Sequence, residues 1–409
     1  MIPRSRSFPA FAIVTALGGC STAPSAAPAD ATVADTTDAA SGRSDDASPA
    51  DAFTPATHGT LPQLPNQGGP RLAHPQIVTV TFAGDPRRAS FEAWAQWIAT
   101  SRWLASVGAE YGVGLGAVAG AVQRPDAAPA TWTSGDIEAY LGRGITDGTI
   151  PRPSGGLGDA LYLVYLPSTT TATATFVDGI TGVSCTDWLA FHGEAHASGL
   201  DFSYAVMADC GSASDALTPL EHIEQAASHE LIEAATDAFP VTRPAWQLAV
   251  DHDDAWFSAF RFEVENGDLC EVPSLTWREA GFVAQRVYSN AAARAGSDPC
   301  VPADGSAPYF NTSASPATVL RLAPGASATL DLRGWSTAPT DDWQLTTRVV
   351  GSVHPVMVFG ARTLNNGATT TLRLTLPTGA TSGVTTTVWL YSRHAAGDYH
   401  AWPIVVTVL

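Results

Sequence analysis

The chain has 409 residues, a formal net charge of −18 and no lysine, so arginine carries every fixed positive charge. That balance argues against nucleic acid as a partner and against an electrostatic hold on anionic lipid. The length leaves room for two domains.

The N-terminus sets Arg4 and Arg6 before a short apolar run, then Leu17-Gly18-Gly19-Cys20-Ser21. A basic start, a brief greasy stretch and small residues at a cut site read as a secretory signal peptide. The run is too short to span a bilayer. Leu-Gly-Gly-Cys resembles the bacterial lipobox. It implies a signal peptide over 1–19, lipidation of Cys20 and export to a bacterial membrane, with Ser21 resembling an outer-membrane sorting signal. Residues 20–58 are mostly Ala, Thr, Ser, Pro and Asp, too poor in large apolar side chains to offset ordering entropy, and read as a disordered tether.

The fold begins at residue 59. Residues 76–83 alternate and are β-branched, as a strand requires. Phe91, Trp94, Ile98 and Leu104 fall at helical spacing. Residues 113–123 predict another strand, and Ser134 is placed to cap a short helix. Residues 161–166 form a continuous apolar run, expected of a strand buried on both faces. Residues 202–208 predict a further strand, and residues 217–238 the clearest helix. Strands alternating with helices point to an α/β (or α+β) layered domain over 59–305. From residue 306 helical periodicity vanishes, and short Thr/Val/Leu runs punctuated by Gly, Pro and Asn predict an all-β, Ig-like sandwich over 306–409.

Four cysteines remain after Cys20. An even number in an exported chain implies disulfides. Cys185–Cys210 and Cys270–Cys300 are favoured because each closes a local loop; a four-cysteine metal site is the alternative, weakened by the lack of Cys-x-x-Cys.

The long helix carries Ser228-His229-Glu230-Leu231-Ile232-Glu233. Residues four apart stack on one helix face, so His229 and Glu233 can grip one metal ion, with Glu230 beside them as a proton acceptor. This is the logic of His-Glu-x-x-His zinc hydrolases, with glutamate in place of the second histidine. A solvated helix face is the plain alternative. A third ligand must come from elsewhere, and Glu265 or Asp268 on the segment ending at Cys270 are the candidates; a turn around Asn266-Gly267 is compatible with that role. His192, His196, His222 and the acidic run Asp251-His252-Asp253-Asp254, a candidate for a hard cation, are read first as surface or loop residues. No nucleophile elbow and no phosphate-binding loop occurs.

Together these pieces resemble the Exordium / phosphate-induced protein family and its bacterial relatives, whose plant members are extracellular proteins linked to growth. Gly68-Gly69-Pro70, Tyr111-Gly112 and the segment from Cys185 to His192-Gly193 match its landmarks. Ser228 to Asp237 is similar to its His-Glu-Leu-x-Glu-x-x-Thr-Asp-Pro, and Glu265 to Cys270 resembles its Glu-Ile-Gly-Asp-Leu-Cys. The resemblance spans residues 65–302 and stops before the sandwich. Phe239-Pro240 breaks the expected Asp-Pro, and Asn266 replaces an apolar residue. The resemblance implies a metallopeptidase-like metal set of His229, Glu233 and one or both of Glu265 and Asp268, with Glu230 as base. The expectation is therefore a lipid-anchored, zinc-dependent hydrolase, foremost a peptidase. The alternatives are a non-catalytic lipoprotein that binds cell-wall polysaccharide or a protein, and a metal-free relic of a hydrolase.

Overall fold

A computed structural model describes residues 53–409 except 177–178, 212–216, 261–263, 272–275, 304, 306 and 396. Cys20, the signal peptide and most of the tether lie outside the described residues. Near the predicted end of the tether, Asn366 donates to the Thr54 carbonyl and accepts from the Ala56 amide, both at 2.9 Å. Leu61 and Leu64 are then fully buried.

Five strands make the central sheet: β1 (Gln76–Phe82), β2 (Ala117–Arg124), β3 (Ala160–Leu166), β4 (Ala190–Ala197) and β5 (Leu200–Ala208). Their order is β2-β1-β3-β5-β4, parallel throughout except for the antiparallel edge strand β4. Every residue of β3 is buried, because its alternate side chains meet helices on opposite faces of the sheet. Leu161, Leu163 and Tyr165 pack with Phe91 and Trp94 of α1 (Arg88–Ala99), Trp103 of α2 (Arg102–Gly108), and Ala227 and Leu231 of the long helix. Tyr162 and Val164 pack with Ile137, Leu141 and Ile145 of α3 (Ser134–Asp147). The result is a three-layer helix–sheet–helix sandwich.

Two local expectations shift. The predicted helix through Leu104 breaks at Thr100, where Ser101 begins α2 by accepting the Leu104 amide. The cap of α3 is Thr133 rather than Ser134. Thr133 and Asp136 form a reciprocal capping box, which leaves Ser134 inside the first turn.

The long helix, α4 (Pro219–Thr236), starts with a second capping box, Thr218 with Glu221, and has Pro219 in its first turn, where proline costs no hydrogen bond. A hairpin, β6 (Thr276–Glu279) and β7 (Phe282–Gln285), lies along α4. It turns through Ala280 and Gly281, both at positive φ. The free edge of β7 is satisfied by helix side chains: Val283 N–H donates to Glu224 at 3.0 Å and Gln285 N–H to Ser228 Oγ at 2.7 Å.

Beyond residue 309 two sheets face each other. One comprises Phe310–Ser315, Ser327–Ser336, Val356–Phe359 and Thr369–Thr375; the other Leu320–Leu322, Trp343–Val350, Thr363–Leu364, Thr385–Arg393 and Tyr399–Val408. Their core holds Trp335, Trp343 and Trp402 and runs without interruption into Leu61, Leu64, Trp256 and Tyr288 of the preceding region. The chain is thus mixed α/β and rich in sheet. Both favoured disulfides form, Cys185–Cys210 and Cys270–Cys300, which excludes the four-cysteine metal site and fits an extracytoplasmic protein. Among the described residues no helix is long and apolar enough to cross a membrane.

Candidate metal centre

Three elements converge on Glu233. The first is α4, whose 3.6-residue turn sets His229 and Glu233 on one face, with His229 Nε2 3.1 Å from Glu233 Oε2. The second is the segment ending at Cys270. Asp268 Oδ1 lies 3.7 Å from His229 Nε2, and the Asp268 amide donates to Glu233 Oε1 at 3.1 Å. The third is edge strand β4, which sends His192 over the helix. His192 Nδ1 is 3.5 Å from Glu233 Oε2 and 3.2 Å from Glu230 Oε2, while its Nε2 is 3.2 Å from Glu265 Oε2.

The loop is held in place from several sides. The Glu265 amide donates to Asp268 Oδ2 at 2.9 Å, Asn266 donates to Thr236 Oγ1 at 3.1 Å, and Cys270 is covalently tied to Cys300. Gly267 lies against the helix so closely that a Cβ there would sit 2.6 Å from Glu233 Oε1 and 2.9 Å from His229 Nδ1. Its φ of −72° suits any residue, so glycine is required for the approach and not for the backbone angle.

Gln285, at the end of β7, orients His229. Its Nε2 donates to the Gly267 carbonyl at 2.7 Å, which leaves Oε1 facing His229 Nδ1 at 3.1 Å. The proton then belongs on Nδ1, and the Nε2 lone pair points to Glu233 and Asp268. Such partners of the distal ring nitrogen fix a metal-binding histidine's tautomer and rotation.

Two groups have the donor types and closeness to hold a cation: His229, Glu233 and Asp268, and His192, Glu233 and Glu265. Glu265 Oε1 is buried in the same place without a hydrogen-bond partner, and His192 Nε2 meets Glu265 Oε2 there only outside good hydrogen-bond geometry. Partnerless buried atoms are costly unless something meets them. Burial opposes charge on both imidazoles, yet Glu265 with Glu230 and Glu233 around His192, and Glu233 above all around His229, hold both well above the usual histidine range. Burial pushes the carboxyls of Glu265 and Asp268 well up, with Glu233 adding to each. Glu233 is buried too, but the two imidazoles keep it low, at about 2. Crowded carboxylates and two imidazoles supply the nitrogen and oxygen donors that could hold a metal ion.

The sequence-derived set His229, Glu230, Glu233, Glu265 and Asp268 therefore lies together, with Glu230 against His192. Sequence reasoning passed over His192 as a surface residue. The signal was its membership of a strand whose alternate residues share a face, together with the His192-Gly193 landmark. Gln285 carried no signal. His196 belongs elsewhere, between Asp201 at 2.8 Å and Glu194 at 3.0 Å. His222 joins neither metal-capable group among the described residues. The acidic run is spent on local structure: Asp251 accepts the Asp253 amide, Asp254 accepts the Phe257 amide, both at 2.9 Å, and Asp253 pairs with Arg321. Asp237, the end of the matched helix motif, accepts from the Ala245 amide at 2.8 Å and from Gln247.

No family model and no curated protein matches the chain. Solved structures similar to parts of it include a nucleoside hydrolase-related hypothetical protein from Saccharophagus degradans, at 12% identity over 29% of this chain and 30% of that one, TM-score 0.19. A titin–obscurin-like Ig complex shares 25% identity over 25% of this chain and 93% of that one, TM-score 0.17. A xyloglucanase from Bacteroides ovatus shares 12% over 24% of this chain and 19% of that one, TM-score 0.17. The chain spans under a third of the nucleoside hydrolase-related protein. Likenesses this slight carry no argument about fold or function.

Proposed function

We propose that the protein is a zinc-dependent hydrolase working outside the cytoplasm, with peptides as its foremost substrate class. The observation that carries the reading is the position of Glu233 Oε2, 3.1 Å from His229 Nε2 and 3.5 Å from His192 Nδ1, with Asp268 and Glu265 closing the two sides. His229, Glu233 and Asp268 are the first ligand set. Zinc bound there would supply Lewis acidity, polarising a substrate carbonyl and acidifying water.

The chain's own residues supply the rest. Glu230 is buried beside the ligands and takes the proton from the attacking water as its oxygen bonds to the carbonyl carbon. When the carbon–nitrogen bond breaks, Glu230 returns that proton to the leaving amine. His192, against Glu230 Oε2, positions the carboxylate. Gln285 and Gly267 hold His229 and the loop in register.

The similarity of two ordered motifs to the Exordium / phosphate-induced protein family supports the same ligand set. The lipobox supports anchorage through Cys20, in the outer membrane by its following serine. The test is Glu230→Gln in the full-length protein, assayed on a peptide library beside metal analysis. Retained zinc with activity lowered at least 100-fold is expected. Full activity of that variant overturns the mechanism.

A further inference from the structure

We infer that the centre is built for two divalent cations bridged by Glu233. This deepens the hydrolase reading and rests on it. The two metal-capable groups each contain one imidazole and two carboxylates and share Glu233. The first group's outer atoms are already engaged: His229 Nδ1 with Gln285, Asp268 Oδ2 with the Glu265 amide, and Glu233 Oε1 with the Asp268 amide. Its remaining donors, His229 Nε2 and Asp268 Oδ1, face one place beside Glu233. One ion satisfies that place.

The second group is then left over. Glu265 is 3% exposed and its Oε1 has no hydrogen-bond partner, while Nε2 of His192, whose side chain is 7% exposed, has Glu265 Oε2 as its near neighbour. These residues face each other at 3.2 Å and form with Glu233 a group that Asp268 does not join. A cation between His192, Glu265 and Glu233 meets Glu265 Oε1, which the first ion leaves without a partner, and separates an imidazole from the carboxylate crowded against it.

Charge points the same way. The carboxylates of Glu230, Glu233, Glu265 and Asp268 crowd the site, and Glu271 acts on it from nearby. With neutral imidazoles as ligands, one divalent cation leaves negative charge in a confined, poorly solvated space, and a second offsets it. The mixed nitrogen and oxygen donors suit zinc, cobalt or manganese. A carboxylate shared by two cations is the arrangement of two-metal hydrolytic sites, in which one ion holds the nucleophile and the other the substrate oxygen.

The test strips the full-length protein with chelator, titrates it with zinc alone, and counts bound zinc by elemental analysis. Two zinc ions per chain are expected in the wild type, one in His192→Ala and one in His229→Ala. His192→Gln, closer in shape, is expected to match His192→Ala if the alanine variant proves poorly folded. Cobalt-loaded wild type is expected to show spin coupling between the ions that His192→Ala lacks. One zinc per chain in the wild type, abolished by either histidine variant, overturns the two-ion centre and leaves the hydrolase reading in place. No zinc in the wild type overturns both.

Discussion

Gln285 Oε1 lies 3.1 Å from His229 Nδ1, and the same side chain donates to the Gly267 carbonyl. One amide thus links the hairpin, the helix and the loop, and sets which nitrogen of His229 faces the acidic residues. Gln285→Leu keeps the volume and removes both bonds. Zinc affinity is expected to fall about 10- to 100-fold, the usual cost of losing such a partner. Competition with a chromophoric chelator measures it, and unchanged affinity would show that His229 is oriented by packing alone.

Gly267→Ala isolates the close approach of loop and helix. The backbone angle accepts alanine, so the added methyl acts only through its clash with Glu233 and His229. Overpacking of this kind costs about 1–3 kcal/mol. The variant is expected to fold, melt several degrees lower and bind zinc poorly. Normal zinc binding would mean that the loop can withdraw without loss.

The two disulfides are expected to behave differently. In the chain-entropy view each closes a loop worth about 3–4 kcal/mol. Cys270→Ala with Cys300→Ala also frees the segment carrying Glu265 and Asp268, so it is expected to lower stability and zinc affinity together. Cys185→Ala with Cys210→Ala frees no residue of the first ligand set, so it is expected to lower stability while the ion at His229, Glu233 and Asp268 stays bound. Denaturant titration with and without zinc separates the two effects.

His400 supplies a pH dependence away from the metal centre. Its ring packs edge-on to Tyr309 and Phe310, and burial draws its pKa down to about 4, with Asp298 resisting and Arg286 assisting. Below the ordinary histidine value of 6.5 the unfolded chain takes up a proton that the folded chain refuses until about pH 4. Stability from this group is therefore complete above 6.5 and is lost as pH falls through that window, at up to about 1.4 kcal/mol per pH unit. His400→Gln is expected to flatten the difference between denaturation midpoints at pH 7 and pH 4.5. A slope equal to the wild type's would place the acid sensitivity elsewhere.

Legibility in the sequence followed the range of the interactions involved. The i, i+4 spacing of His229 and Glu233 is written within one helix, so it could be read directly. So could β3, whose burial on both faces shows as an unbroken apolar run, and the disulfides, each closing a local loop. His192 carried a local signal in its strand alternation and the His192-Gly193 landmark, but its meeting with α4 is a long-range pairing that periodicity does not encode. Gln285 is an ordinary polar residue until its strand end meets Ser228 and His229. Thr54 and Ala56 have loop-like composition, and their bonds to Asn366, more than 300 residues away, could not be read locally.

The most direct test of the account is zinc analysis of the full-length protein after dialysis, beside Glu233→Ala, the one substitution that removes the carboxylate common to both ligand groups. Stoichiometric zinc in the wild type and none in the variant, with the fold of both confirmed by circular dichroism, is the expected result. A wild-type protein that holds no zinc even when zinc is supplied would contradict a metal centre at Glu233 and the hydrolase built upon it.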